Sequence, residues 1–521
     1  MVADRAPRQL SRGGVLHRVA WNTLTNYVAK LVTVAMGFLL TPFILHQLGP
    51  TGYGLWVLVG SVVGYGALLD LGMSNAIVKY VAEFRATDQP REASRIVATA
   101  LWLYTGLALV AIALSAVLAP WFPYVFHVPP AEHDTAVWVA FLGATGIALS
   151  LPCSTGSAVL RGLHRFDLQN VLVVANAVLA GVGWVVVLLL GGGLVGLVAV
   201  SIVVMLLLQL PTVGLIRRAA PDLTFGWRGA SRNSVGTLFR FSSWVFAVNV
   251  AGRIQTKTDE IVIGAFLPVA SVTPYALANK LSDVGLMLTD QFLKVLLPLA
   301  SELHAGGDRK RLRQLYLTST RLTLAICVPL CGTLSIFAAP ILVGWVGPAY
   351  ADDAYLVVIL VVADAIAASQ WPAGSVLQAM VRHRPVAISA VLSAIGNLVL
   401  SIVLLQSLGL AGVALGTLIP GALECLGFVL PYTLRVMGVS AAEFAREVLA
   451  PTLAPAIPML AVAYLLLRGL QPDSLLTVAP LVGVSLATYA VMYMWLGAST
   501  LERRACRSMA TGTLRLIARR S

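Results

Sequence analysis

Apolar runs of about twenty residues or more recur from Ala20 to the region of Trp495, separated by short polar stretches. Each run is long enough to cross a hydrocarbon core of about 30 Å as a helix, so the pattern predicts an all-α integral membrane protein. Fourteen spans are predicted, at residues 20 to 45, 54 to 76, 96 to 119, 135 to 160, 168 to 190, 194 to 216, 238 to 265, 273 to 300, 315 to 338, 353 to 378, 385 to 406, 410 to 434, 447 to 467 and 475 to 497. The first run carries Lys30 and is not followed by a small-residue cleavage site, so it is expected to be retained as a helix and not cleaved as a signal peptide.

Polar residues inside these runs repeat. Trp21, Asn26 and Lys30 return as Trp244, Asn249 and Arg253, each displaced by 223 positions. Tyr53 is answered by Tyr275, Asp70 by Asp290 and Glu83 by Glu302, and later segments match at offsets of about 215 to 223. A six-helix unit is therefore expected twice. An even number of spans preserves orientation, which makes the halves parallel repeats about an axis along the membrane normal. The predicted organisation is a cytoplasmic N-terminal segment (1–19), an N-lobe (20–218), an inter-lobe linker (219–240) that could act as a hinge, a C-lobe (241–436), an unmatched helix pair (437–498) and a basic tail (499–521).

Composition changes little in this picture and charge placement adds to it. The chain is 58% hydrophobic and 11% charged, whereas about a quarter of a soluble domain is charged. The Lys and Arg outside the spans, which give most of the net charge of +13, fill alternate loops, from Arg5 to Arg18, Lys79 to Arg95, Arg161 and Arg165, Arg217 to Arg240, Arg309 to Arg313, Arg382 and Arg384, Arg435 and Arg446, and the tail from Arg503, whereas the intervening loops hold almost none besides Arg468. The positive-inside rule then puts both termini and all basic loops in the cytoplasm, and the basic excess faces anionic lipid, not nucleic acid. Five cysteines show neither a disulfide framework nor a metal spacing. No metal and no cofactor are expected, and no phosphate loop is present because Gly-Lys never occurs.

A cation at mid-membrane costs about 2.5 to 3.5 kcal/mol on insertion scales, and such residues face a cavity or pathway by default. Lys30 lies about ten residues into its span, or about 15 Å from the start, on the same face as Asn26. In the seventh span Asn249, Arg253, Lys257 and Glu260 form one stripe, although Lys257, Asp259 and Glu260 could instead neutralise one another. Lys280, Asp283, Asp290 and Lys294 share a face of the eighth span, with pairing inside the helix as the alternative. Candidate substrate cations are thus Lys30, Arg253, Lys257 and Lys280, supported by Asn26, Asn249 and Glu260. Asp70 and Asp290, towards the ends of their helices, and the deeper Asp364 and Glu424 are candidates for a gate or for ion coupling, against interfacial or core hydrogen-bonding roles. Gly60 with Gly64, and Gly412 with Gly416, have small-residue packing spacing.

The segment from Leu48 to Glu83, with its Leu-Gly-x-x-x-Tyr-Gly pattern, and the six-plus-six-plus-two layout resemble the Wzx-type polysaccharide transporter branch of the multidrug/oligosaccharidyl-lipid/polysaccharide (MOP) exporter superfamily. That resemblance implies a V-shaped pair of lobes with a central cavity lined by spans one, two, seven and eight, and a non-enzymatic flippase of prenyl-diphosphate-linked oligosaccharide in a bacterial cytoplasmic membrane. The implied partners are the lipid-linked oligosaccharide and membrane lipids, with polysaccharide polymerase and assembly machinery as further candidates. Resemblance to lipid II flippases implies a tail groove in the last helix pair. A drug/cation antiporter or lipid II-type flippase of the same superfamily remains an alternative reading, as does a membrane glycan polymerase or ligase. The cationic interior disfavours the antiporter and the short external loops disfavour the polymerase or ligase.

Overall fold

The computed structural model describes residues 12–231, 234–236, 238, 258–499 and 502–503, with side chains described throughout these except at 12–24, 67 and 286–295. Among the described residues every regular element is helical, and ten helices are long and apolar enough to cross a membrane. Helices are forced here by the solvent, because hydrocarbon offers backbone groups no partner and a helix satisfies them within one segment. The chain divides into two compact units, Met1–Thr273 and Pro274–Ser521.

The first unit begins with α1, Arg12–Gly64, which contains the first predicted span and the start of the second, joined at a kink. Gly49 has φ 69° and ψ 175°, a backbone state that side chains with a Cβ rarely adopt, and Pro50 follows it. Further along, a Cβ at Gly54 would collide with the carbonyl oxygen of Val269, while Thr273 Oγ1 donates to the Pro50 carbonyl at 2.6 Å. The glycines of the Leu-Gly-Pro-Thr-Gly-Tyr-Gly segment therefore serve a turn and a close backbone approach. Tyr53 is buried and meets Trp56 edge-on at 5.6 Å, and Trp56 meets Trp184 in the same manner at 5.6 Å.

After α1 the chain runs through a 3-10 turn, Tyr65–Asp70, into α2, Met73–Ala86, with Leu71 and Gly72 both left-handed. The predicted second span is thus a broken helix. It is followed by α3 (Pro90–Leu118), the short α4 (Phe122–Val125), α5 (His133–Gly162), α6 (Phe166–Leu189), α7 (Gly193–Leu207) and α8 (Gln209–Ala219). Ile77, Val97, Tyr104, Val159 and Leu160 form the core between α2, α3 and α5. The linker read as a hinge is tied down over its first half: Thr224 and Ser231 donate their backbone N–H to Ser94 and Thr99 of α3 at 3.0 Å, and Trp227 Nε1 donates to Thr105 at 3.2 Å. Helical residues 258–266 also belong to this unit, where Thr258 shares a hydrogen bond with Tyr65 at 2.7 Å.

The second unit contains α9 (Val272–Ala305), α10 (Arg309–Ile336), α11 (Ala338–Val346), α12 (Ala354–Ala379), α13 (Arg384–Leu408) and α14 (Leu410–Ala422). Asp308 caps α10 by accepting the Arg311 N–H at 3.0 Å. Gly412 and Gly416 sit against the backbone of Leu404 and Ser401, as their spacing predicted, and Asn397 donates to Thr417 at 2.8 Å across the same contact. At Gly60 and Gly64, by contrast, a Cβ meets only open space among the described residues. A π-turn at Leu423–Val429 leads into α15, Leu430–Met437.

The unmatched final pair packs on α10. Its helices are α16 (Ala441–Phe444), α17 (Ala450–Leu453) and α18 (Ala456–Leu470), which form one run, and α19 (Leu475–Met492), which opens with a Ser474/Thr477 capping box. Arg313 forms an ion pair with Glu443, and eight residues on, Arg321 pairs with Glu502 at 2.8 Å with only 15% of each side chain exposed. Tyr489 donates to the Thr452 carbonyl at 3.0 Å, fastening α19 to α17.

The close approach at Gly54 makes a measurable difference. Gly54→Ala should lower the melting temperature of the purified protein, since forcing a methyl against backbone costs about 1 to 3 kcal/mol. Gly106→Ala, at an exposed α3 position with open space around it, should keep or raise it, because Ala favours a helix interior over Gly. Equal melting temperatures for the two variants would refute the packing account of the motif.

Candidate functional site

Within the first unit, Asn26 and Lys30 lie on α1 one turn apart, both with exposed side chains, inside the apolar run Thr25–Ala86. Asn26 is held. Asn170 of α6 donates to its Oδ1 at 2.7 Å and to Thr25 Oγ1 at 3.1 Å, which braces α6 against α1 beside Lys30. Lys30 itself makes no hydrogen bond or ion pair among the described residues, so its charge is not used for packing there.

Asp70 sits in the break before α2 and is half-buried. Its Oδ1 accepts from the Ser74 hydroxyl at 2.6 Å, from the Ser74 N–H at 3.4 Å and from the Tyr104 hydroxyl. Ser74 Oγ also reaches Ser154 of α5 at 3.5 Å, and the half-buried Arg161 is within electrostatic range of Asp70 and Tyr104. A carboxylate at the first turn of a helix meets free N–H groups and the positive end of the dipole. Asp70 therefore stabilises the restart of the helix at Met73, a role the sequence did not suggest. Tyr104, fully buried on an otherwise apolar face, was the overlooked partner, and its only sequence signal is a phenol in the middle of a span.

In the second unit, α12 brings Asp364 to the Lys280–Asp283 turn of α9: Ser282 Oγ donates to Asp364 Oδ2 at 2.5 Å. Asp283 is within electrostatic range of both Lys280 and Asp364, and Asp364 of Cys331 on α10. Lys280 is half-buried and Asp283 exposed. The arrangement is a mixed cluster in which Asp283 is near both the Lys280 ammonium and the Asp364 carboxylate. Glu424, in the π-turn, accepts from Ser389 of α13 at 3.4 Å and from Ser393. Glu260 is buried in the first unit. Asn249, Arg253 and Lys257 lie outside the described residues, as does the side chain of Asp290. No group of three or more metal-ligating side chains occurs among the described residues.

The family profile described as "Polysaccharide biosynthesis protein" matches residues 47–354. The chain belongs to that family. The match begins at the Gly49 kink and continues through α11. Among relatives of this chain is the "Probable low-salt glycan biosynthesis flippase Agl15" of Haloferax volcanii, 21% identical over 405 residues, spanning 77% of this chain and 80% of the relative. Among solved structures, "Lipid II flippase MurJ, inward closed conformation" superposes with a TM-score of 0.71 at 13% identity, covering 91% of this chain and 98% of that one. An inward-facing multidrug resistance MATE family transporter of the MOP superfamily superposes at 0.66 and 15% identity, over 79% and 94%. At these identities the likeness concerns the fold alone, that of a multi-pass membrane protein whose described residues form only helices as regular elements.

The Asp70 cluster predicts a specific loss. Asp70→Ala takes the carboxylate acceptor from the buried Tyr104 hydroxyl and leaves it the longer contact to Ser74 Oγ at 3.2 Å, a weakened pairing that should cost up to about 1 to 3 kcal/mol and reduce thermal stability. Adding Tyr104→Phe should recover part of that loss, because it removes the poorly paired hydroxyl. Two effects that merely add in the double variant would show that the residues are not coupled.

Proposed function

We propose that this chain is a flippase that carries prenyl-diphosphate-linked oligosaccharide across the bacterial cytoplasmic membrane for surface polysaccharide assembly. The observation that carries the reading is the intramembrane cation written twice, as Lys30 and as Arg253, in a family of polysaccharide biosynthesis and beside relatives named as flippases. In this reading fourteen spans form two parallel six-helix repeats plus the C-terminal pair, with both termini cytoplasmic. Lys30, Arg253, Lys257 and Lys280 replace the water lost by the diphosphate, through charge-assisted hydrogen bonds that are about twice as strong as neutral ones. Asn26, Asn249 and Glu260 support them. Asp290, Asp364 and Glu424 are the carboxylates available for gating or ion coupling, with Asp70 at the helix break as a fourth. The prenyl tail stays in lipid, and alternating access moves only the head.

Arg253→Ala should abolish surface glycan export at near-normal membrane abundance, because a charge-assisted contact of about 1.5 to 3 kcal/mol is lost, or about ten- to a hundredfold in binding. Arg253→Lys should keep part of the activity, since a point charge attracts phosphate without the planar fork. Normal export by a stably inserted Arg253→Ala/Lys257→Ala variant rules out cationic capture by the seventh span. Topology has its own check: reporter fusions after Pro130 and after Ala305 should report opposite compartments, and a shared compartment overturns the fourteen-span arrangement.

A further inference from the structure

The first unit contains an open cavity of about 550 Å³ between α1, α5, α6, α7 and α8, with Asn176 on its exposed side, inside the range of about 300 to 1,000 Å³ usual for ligand pockets. Its polar lining includes Thr33 of α1, Ser157 of α5, Gln169 and Asn176 of α6 and Gln209 of α8, and Trp184 borders it. None of the residues that line it is an Asp, Glu, Lys, Arg or His. Three of these polar side chains, Ser157, Gln169 and Asn176, make no hydrogen bond to the protein among the described residues. Amides inside membrane spans are costly unless something pairs with them, and here two free amides and a free hydroxyl converge on one space. Trp184 is fixed at the border by its Nε1–H bond to Ser201 Oγ at 2.9 Å and by its edge-on contact with Trp56.

From this arrangement we infer that the cavity is a binding pocket for a neutral polyhydroxylated group, the sugar part of the lipid-linked substrate; the inference rests on the flippase reading. An amide both donates and accepts, as a sugar hydroxyl does, and an indole offers its apolar body to the C–H surface of a sugar ring. A charged group finds no counter-ion in the lining. The diphosphate has one close by, because Lys30 precedes Thr33 by three residues and shares its side of α1. One substrate therefore meets two different chemistries a helical turn apart, cation for diphosphate and neutral amides for sugar.

Cys153 lines the same cavity and reports on its occupancy. In a full-length chain with Cys327, Cys331, Cys425 and Cys506 replaced by Ala, N-ethylmaleimide should modify Cys153 at least threefold more slowly in membranes from cells that make the lipid-linked oligosaccharide. The reference is membranes from cells lacking the transferase that starts it. Undecaprenyl diphosphate without sugar, added to the reference membranes, should give no protection. Gln169→Ala/Asn176→Ala should restore fast modification at unchanged membrane abundance. Should Cys153 fail to react, Ser157→Cys in the background with Cys153 also replaced by Ala takes its place, and inertness of both thiols overturns the pocket. Equal rates with and without the oligosaccharide, or protection by the bare diphosphate lipid, also overturn it. These outcomes are separable from the flippase reading: loss of export in Arg253→Ala together with unprotected Cys153 removes the pocket alone, whereas normal glycan export by cells lacking this chain removes the flippase.

Discussion

A polar group inside hydrocarbon must be paired or must border a cavity, and most features of this protein follow from that constraint. The backbone obeys it by being helical. Hydroxyls obey it locally, as where Thr41 donates to the Gly37 carbonyl at 2.7 Å and Thr433 to Val429 at 2.7 Å, each one turn back along its own helix. Longer polar side chains obey it across helices, as with Asn170 and Asn26 or Ser282 and Asp364. The exceptions are informative. Lys30, Gln169 and Asn176 lack protein partners among the described residues, and Gln169 and Asn176 line the first-unit cavity while Lys30 lies on α1 one turn from it.

The same constraint explains where helices break. Opening a helix frees N–H and C=O groups, so a break is stable only where side chains replace the lost bonds. Between Asp70 and Met73 the chain passes through two left-handed residues, and the Asp70 carboxylate covers the restart with Tyr104 and Ser74 around it. At Gly49 the break is a turn between two spans, and Thr273 satisfies the Pro50 carbonyl next to it. The π-turn at Leu423–Val429 carries Glu424 with serines of α13 in reach. Single-turn π segments of this kind are frequent at functional sites.

Charge is used in two ways. Loop charges set orientation and meet lipid headgroups in the proposed topology. The paired charges of α10 instead hold the last helices in place: Arg313 and Arg321, two turns apart, engage Glu443 at the start of the final pair and Glu502 just beyond it. Breaking a largely desolvated pair such as Arg321–Glu502 leaves an uncompensated charge. The C-terminal pair is thereby an integral part of the second unit, a fixed attachment of α10.

Much of the architecture was legible along the chain, because hydrophobic length and loop charge act one residue at a time. The apolar runs and the all-helical class could be read from composition and spacing alone, and the contact at Gly412 and Gly416 needed only a four-residue interval. The repeated cation was equally plain as a pattern. What the sequence could not show is which polar residues meet across helices, since such pairs are separated by 34 positions for Asp70 and Tyr104 and 144 for Asn26 and Asn170. Periodicity says which face a residue occupies but not what another helix brings to that face. Only the tertiary structure decided that Asp70 anchors a helix break, that the first half of the linker is strapped to α3, and that neutral amides from two helices and hydroxyls from others line a single cavity.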